Sequence, residues 1–453
     1  MTFQDLLEVK TDKERMDFVL SAINAHKSSD EYKKAIDGYL YSTGKNATIM
    51  AFQKLLYKIT GEAVPDNWSA NHKCKSGFFK RFVIQSASYL LGNGATFTDN
   101  AKNKEKLGKD FDKQLYKAGK IALSQVTAFG FFNKDHLEVF SLRDFAPLYD
   151  EENGALMAGI RFWQIDNSKP LRATLYEIDG YTDFIKRKDE DIQILSPKRP
   201  YLLYAKVSNI DGTRIYGGAN YPTFPIVPLW GNPEHQSELV GIREQIDCYD
   251  LIKSGFANDI DEASVLYWTI TNSGGMSDED LARFKHKMKT LGVANLPNTD
   301  DGSKAEAHTI DVPYEAREAM LDRLEKDLYK DYMALDVEHI ASGATTATQI
   351  RASYEPLNEK IDEFEFCILE FLEGVFAVAG IEDTVTFTRS QIVNVQEDVE
   401  TVLTASEFLD DEYITKKILT LMGDADEFED LQKRKDAESY NRLEETTITE
   451  SEE

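Results

Sequence analysis

Residue types that do chemistry are present in this chain, but their spacing is not that of a catalyst. Carboxylate pairs such as Asp189/Asp191 and Asp410/Asp411 could share a proton or hold a cation, yet among 79 Asp plus Glu such pairs arise on any solvated acidic face. The seven histidines are scattered, with no H-E-x-x-H and no pair four residues apart. His72 and Cys74 would supply two ligands where a structural zinc takes four. Gly92-Asn93-Gly94 lacks the further glycine of a dinucleotide loop, and no G-x-x-x-x-G-K-[ST] phosphate cradle occurs. Ser273-Gly274-Gly275 reads as a turn, and no G-x-S-x-G nucleophile elbow exists. The expectation is a protein that is not an enzyme, with no catalytic residue, cofactor or metal. An acidic intracellular hydrolase whose carboxylates bind a metal stays open as an alternative; it needs a convergent cluster that the spacing does not supply.

Composition narrows the field further. In 453 residues, 52 Lys plus Arg face 79 Asp plus Glu, a formal charge of −27. Surfaces that grip phosphates or anionic lipid are basic, so neither is the expected main surface. Basic residues are not interleaved with aromatics in any binding stripe. With 42% hydrophobic residues, including 21 Tyr and 25 Phe, a packed core is affordable in composition and global disorder is excluded. Cys74, Cys248 and Cys367 are odd in number and far apart, which points to reduced thiols in a cytoplasmic setting. No signal peptide opens the sequence and no apolar run reaches the length of a membrane span.

The elements that must position any site come in a clear order. The first 130 residues read as helices, among them 76–91 and a stretch from Phe111 to Phe132. From Leu137 the apolar period becomes two, and LEVFSL, GIRFWQI, RATLYEI, YLLYAKV and FPIVPLW read as strands between turn residues. Leu239, Ile242, Ile246, Tyr249, Ile252 and Phe256 return to helical spacing. A strand over 263–272 follows, then a capping box at Ser277–Asp280 that opens a short helix, then a turn-rich stretch to residue 312. Residues 314–335 form another helix. A loop, 336–346, leads to a seam at Ile350, Tyr354, Leu357, Ile361, Phe364, Ile368, Phe371, Val375 and Val378, with steps of three and four. Pro356 inside it predicts a kink. The last 63 residues, 391–453, hold 19 acids and 6 bases and read as an acidic helical tail.

Three passages carry a family resemblance: YLLGNGATF (89–97), FPIVPLWGNPEHQSELVGIREQIDCYDLIKSGFANDIDE (224–262) and IASGATTATQIRASYEPLNEKIDEFE (340–365). Together with the element order, they resemble the portal (head-to-tail connector) proteins of tailed double-stranded DNA bacteriophages, in the siphophage branch of Gram-positive hosts. The match is specific over 224–262 and looser elsewhere. Another phage ring component, such as a tail adaptor, is the neighbouring alternative, though such chains are shorter and lack paired stem helices.

The resemblance implies an α+β portal fold. Residues 1–236, with a strand near 384–389, would be the wing; 237–262 and 314–335 the stem; 263–313 the clip; 336–346 the tunnel loop. Residues 347–380 would be the kinked wing helix and 391–453 the crown and tail. It also implies a homo-oligomeric ring, a dodecamer, at one vertex of the virion capsid, made in the host cytoplasm, with double-stranded DNA passing through. The partners it implies are the terminase large subunit (packaging ATPase), the head–tail adaptor protein, the major capsid protein and the scaffold. On this chain, Ala341, Ser342, Gly343, Ala344, Thr345 and Thr346 are expected nearest the DNA. Arg283, Lys285, Lys287 and Lys289 are expected to form a docking face on the clip, or simply a solvated helix face. Ile361, Phe364 and Ile368 are expected at the subunit interface; the same seam also reads as an intramolecular bundle helix. An acidic lumen fits a conduit, because a wall that neutralised phosphates would hold DNA instead of letting it slide.

Overall fold

Thr2, Thr11 and Ser29 open the first three helices, because each hydroxyl takes a backbone amide that the helix leaves unpaired. These are α1 (Phe3–Leu7), α2 (Asp12–Ser28) and α3 (Asp30–Ser42), followed by α4 (Ala47–Ala51). The computed structural model describes residues 1–58, 60–67, 69–207, 214–263, 267–271, 277–291, 304–308, 313–341, 347–390, 395–422, 428 and 431–433. Two compact units result: 1–334 with 360–388, and 335–359 with 389–453.

In the first unit a small hairpin, β1 (Leu55–Tyr57) and β2 (Ala63–Pro65), is followed by α5 (Phe78–Leu91), β3 (Ala95–Phe97), α6 (Lys102–Lys106) and α7 (Phe111–Gln125). The hairpin and β3 depart from the all-helical expectation for this region. So does the end of α7. The helix does not run to Phe132; Val126 turns into positive φ at 73°, and β4 (Thr127–Asn133) begins. Val126 and Phe129 continue the helical spacing by coincidence. TAFGFFN is a strand buried on both faces, and a short continuous apolar run satisfies either period.

The next strands are β5 (His136–Ser141), β6 (Phe145–Tyr149), β7 (Leu156–Trp163), β8 (Leu171–Glu177), β9 (Gly180–Lys186), β10 (Gln193–Arg199), β11 (Leu202–Val207), β12 (Arg214–Ala219) and β13 (Ile226–Trp230). Strands β6 to β10 form an antiparallel meander in sequence order, and β4 lies between β13 and β5 in a second sheet. Helix α2 covers the meander. Its Phe18, Val19, Ala22 and Ile23 meet Leu148, Ile160, Leu175 and Phe184 in one buried cluster. Each such side chain contributes roughly 1.5–3 kcal/mol by leaving water.

Two helices then pair across an intervening small module. α8 (Arg243–Ala263) leads to β14 (Tyr267–Thr271), α9 (Asp278–Leu291) and β15 (Lys304–His308), and α10 (Tyr314–Tyr332) returns. Gln245 Nε2 donates to Asp331 at one end (2.5 Å), and Asp259 pairs with Arg317 at the other. Both separations are fourteen residues, so the helices are antiparallel and keep register. α8 starts at Arg243, later than its apolar spacing predicts. Gly241 has φ +92°, which a helix cannot accommodate, so Leu239 and Ile242 are buried from a turn.

The second unit contains α11 (Val337–Ala341), the first part of α12 (Ala347–Ala379), α13 (Val395–Thr404), a 3-10 turn (Ala405–Phe408) and α14 (Asp411–Met422). Residues 337–341 are therefore helical where a loop is expected, with Asp336 Oδ1 accepting the Glu338 amide at 3.1 Å.

The rest of α12 belongs to the first unit, as does β16 (Val385–Phe387), which pairs with β3 as the strand expected near 384–389. This part of α12 is seated by absent side chains. A Cβ on Gly119 would lie 3.0 Å from the Phe364 ring, and one on Gly130 would lie 2.4 Å from the Phe371 ring. Ile361, Phe364 and Ile368 are at most 1% exposed within this single chain. Their expected place at a subunit interface is thus corrected: intrachain packing already takes up the seam. Phe364→Ala should lower the unfolding free energy by about 3–5 kcal/mol through the cavity it leaves, and Phe364→Asp should give no folded chain. Urea denaturation followed by circular dichroism measures both. A Phe364→Asp chain of normal stability that fails only to assemble would restore the interface assignment.

Candidate functional site: polar clamps on the paired helices

The segment 72–76 has no regular structure of its own, yet it is held along α8. Its amides at His72, Cys74 and Ser76 donate to Asn258 Oδ1 (2.6 Å), Ser254 Oγ (2.9 Å) and Asp250 Oδ1 (2.8 Å). The match is geometric. Four helical residues rise about 6 Å, and two extended residues span about 6.6 Å, so acceptors four apart on a helix meet every second amide of an extended chain. Asp250, Ser254 and Asn258 are all buried. An unpaired buried polar group costs free energy, so the clamp is needed by both sides.

The same helix face continues into a second set of bonds. Asn46 Nδ2 donates to Asp250 Oδ2 (2.8 Å) and to Asp247 Oδ1 (2.9 Å), while Tyr41 Oη donates to Asp247 Oδ1 (2.5 Å). Arg243 Nη1 pairs with Asp37 at 2.8 Å. Burial, with Asp247 beside it, pushes the Tyr41 hydroxyl up to about 12. Burial also raises Asp250 above the ordinary carboxylate value, against the opposing hydrogen bonds from Ser76 and Asn46.

A second clamp joins the turn after β13 to α10 and α12. Asn232 Nδ2 donates to Gln236 O (3.0 Å) and Glu238 Oε1 (2.6 Å), and Ser237 Oγ donates to Ser124 O (2.7 Å). Glu238 forms a nearly buried ion pair with Lys360. Lys360 Nζ also donates to Tyr332 O (3.0 Å), one of the last carbonyls of α10, and lies 3.4 Å from the centre of the Tyr332 ring. A cation there also meets the negative end of the helix dipole. Burial lowers the Lys360 ammonium from its usual range, with Glu238 opposing.

The expected docking cations lie on α9, which Ser277 and Asp280 open with reciprocal hydrogen bonds. Arg283, Lys285 and Lys287 are exposed around the buried Phe284. At 100° per residue, Arg283 and Lys287 share one flank of Phe284 and Lys285 takes the other. Lys289 lies on the same helix, but its side chain is outside the described residues. Ala341 ends α11, and Ser342, Gly343, Ala344, Thr345 and Thr346 lie outside the described residues. Pro356 sits within α12, which continues on both sides of it. Among the described residues no group of three or more His, Cys, Asp or Glu is placed to hold a metal, and no helix is long and apolar enough to cross a membrane.

Asn232, Glu238, Asp250, Ser254 and Asn258 of the clamps fall in the passage 224–262, whose residues are the most specific part of the sequence resemblance. The family model described as "Phage portal protein, SPP1 Gp6-like" matches residues 25–440. The chain belongs to the phage portal protein family. The portal protein of Bacillus phage SPP1 is 23% identical to it over 390 residues, 78% of this chain and 73% of that protein. The portal protein of Clostridium phage phiCD119 is 25% identical over 190 residues, 40% of this chain and 42% of that protein, so this match spans less than half the Clostridium phage chain. The α+β fold is similar to chains in the neck of gene transfer agent particles. The neck of the empty particle matches with a TM-score of 0.45 at 12% identity, over 76% of this chain and 90% of that one. The neck of the native particle matches with a TM-score of 0.39 at 11% identity, over 76% and 89%. Family membership rests on the sequence model.

In this portal-family chain, sequence reasoning missed the clamp residues. The available signal was three hydrogen-bonding residues at steps of four, Asp250, Ser254 and Asn258, off the apolar stripe of one helix. The pH dependence of the first clamp has a definite sign. Asp250 is raised in the folded chain, so between its ordinary value of 3.8 and the raised value the native state binds more protons than the unfolded one. Stability from this group therefore falls as pH rises through that window. Urea denaturation of wild type and Asp250→Asn, from about pH 3.8 to neutrality, should show wild type losing ground to the variant. Parallel curves would mean that Asp250 does not titrate differently on folding.

Proposed function

We propose that this chain is the subunit of a ring, a dodecamer, at one capsid vertex, through which double-stranded DNA is packaged and ejected. The observation that carries this reading is the family match over residues 25–440. In the same reading the ring is the docking platform for the packaging ATPase and the head–tail adaptor protein, set in a shell of major capsid protein built on scaffold. Helices α8 and α10 are its stem, with β14, α9 and β15 as the clip between them. Residues 336–346 are its tunnel loop, and 391–453 the crown and tail. The chain's −27 charge supports a lumen that does not grip phosphates.

The surface left for neighbouring subunits is not the α12 seam but the outside of the paired helices. Leu251 and Ile260 on α8 and Met320 on α10 are 44%, 56% and 44% exposed. Apolar side chains of this size on one helical pair are what a ring neighbour would cover. Leu251→Glu with Ile260→Glu should abolish rings in negative-stain images while leaving the thermal unfolding of the subunit intact. Normal rings would remove α8 from the interface.

The DNA and partner assignments are tested in assembled particles. Ser342→Trp narrows the bore at the small-residue loop and should lower packaged DNA per capsid without disturbing the ring. Reversing Arg283, Lys285 and Lys287 to Glu should weaken binding of the packaging ATPase at low salt, also with rings intact. Wild-type filling with the first variant would make 342–346 a mere connection, and wild-type binding with the second would make α9 a solvated face.

A further inference from the structure

A cavity of about 990 Å³ opens between α3, α7 and the edge strand β5 in the first unit. Its lining runs against the composition of the chain. Lys113, Lys117 and Lys120 sit at i, i+4 and i+7 of α7 and so share one face, and Arg143 lines the same groove from beyond β5. None of these four cations is paired with a carboxylate among the described residues. Lys117 Nζ donates to Val139 O at 3.1 Å, and the Arg143 guanidinium lies 3.5 Å from the centre of the Tyr39 ring. The one acid in the lining, Asp144, already accepts from Ser141 N (2.8 Å) and Oγ (2.6 Å). A protein of charge −27 thus places four cations and a single carboxylate, Asp144, around one groove, and none of the four is ion-paired among the described residues.

Two further groups lack partners. The amide oxygens of Gln114 and Gln125 are buried without a hydrogen bond, and both residues line the groove. Gln125 is only 6% exposed. Buried acceptors of this kind are rare because each forgoes its hydrogen bond to water. An occupant must therefore bring anions for the cations, and its N–H donors can reach the amide oxygens once the terminal amides turn toward the groove. It must also cover apolar wall, since Ile36, Leu40 and Ile121 line the groove too.

We propose that this groove is a docking site for an extended acidic peptide segment of a partner protein. Peptide carboxylates meet the α7 lysines and Arg143. Peptide N–H groups meet the glutamine oxygens after a rotation of the terminal amide, and apolar side chains between the acids cover the aliphatic wall. Nucleic acid fits the inventory less well. Phosphates offer acceptors only, and a cavity of about 990 Å³ holds a ligand or a few peptide residues, not a duplex.

The test uses the full chain and a short fluorescein-labelled peptide alternating Glu and Leu, with a Lys–Leu peptide as control. Fluorescence anisotropy should show saturable binding of the acidic peptide and none of the basic one. Lys117→Glu with Lys120→Glu should weaken binding roughly tenfold or more, and Gln125→Leu should weaken it with the charges untouched. Should the reversed pair fail to fold, Lys113→Gln with Lys120→Gln takes its place. No binding to wild type, or equal binding to the lysine variants, overturns the proposal. So does displacement of the peptide by an equimolar single-stranded or duplex oligonucleotide, which would make the groove a nucleic-acid surface.

Discussion

The ion pair between Glu238 and Lys360 is the constraint on which the helical half of the first unit depends. Both side chains are about 12–13% exposed, so neither is satisfied by water if the other is removed. Breaking such a pair from one side commonly costs about 3–5 kcal/mol. Its position matters more than its strength. Glu238 belongs to the turn that follows β13 and is braced by Asn232, while Lys360 belongs to α12 and also takes the last carbonyl of α10. One contact thus fixes where the sheet ends, where one paired helix stops and where the long helix passes.

The clamp on α8 solves a different problem. A helix this long exposes one flank, and the segment 72–76 must cross it without a strand to pair with. Side-chain acceptors at Asp250, Ser254 and Asn258 stand in for the missing strand. The Phe78 ring, just beyond that segment, meets Tyr249 edge-on at 4.9 Å between ring centres. The aromatic contact at Tyr249 thus adjoins the polar one at Asp250 and anchors α5 to the same helix.

What the sequence made legible follows from which periods are unambiguous. Helices α10 and α12 are long and amphipathic, and their spacing fixes both type and place. The interior of β4, Ala128 to Phe132, has no polar residue, so no period distinguishes helix from strand, and the fit of Phe371 against Gly130 shows why a strand is needed there. A seam such as Ile361–Phe364–Ile368 announces that something covers it but not whose residues do so; here the same chain supplies them. Clamps and groove were hidden for another reason. Glu238 and Lys360, which pair, and Lys117 and Arg143, which line one groove, are distant in sequence and come together only through the fold. The family resemblance marked the right passage without saying what its residues touch.

The bonds along α8 have an asymmetry in what they demand of the sequence. On the helix, three particular side chains must present an acceptor at fixed steps. On the segment that crosses it, the three acceptors are met by main-chain amides, at His72, Cys74 and Ser76, and His72 adds a side-chain contact, from its Nε2 to Asp261 at 3.2 Å. Nearly any residue supplies an amide, and proline alone does not. The amide bonds therefore leave the side chains at Cys74 and Ser76 free to change, provided proline is excluded, while Asp250, Ser254 and Asn258 are restricted and His72 keeps its contact with Asp261. Within one contact, one strip of the chain holds the recognition information and the other is freer to drift.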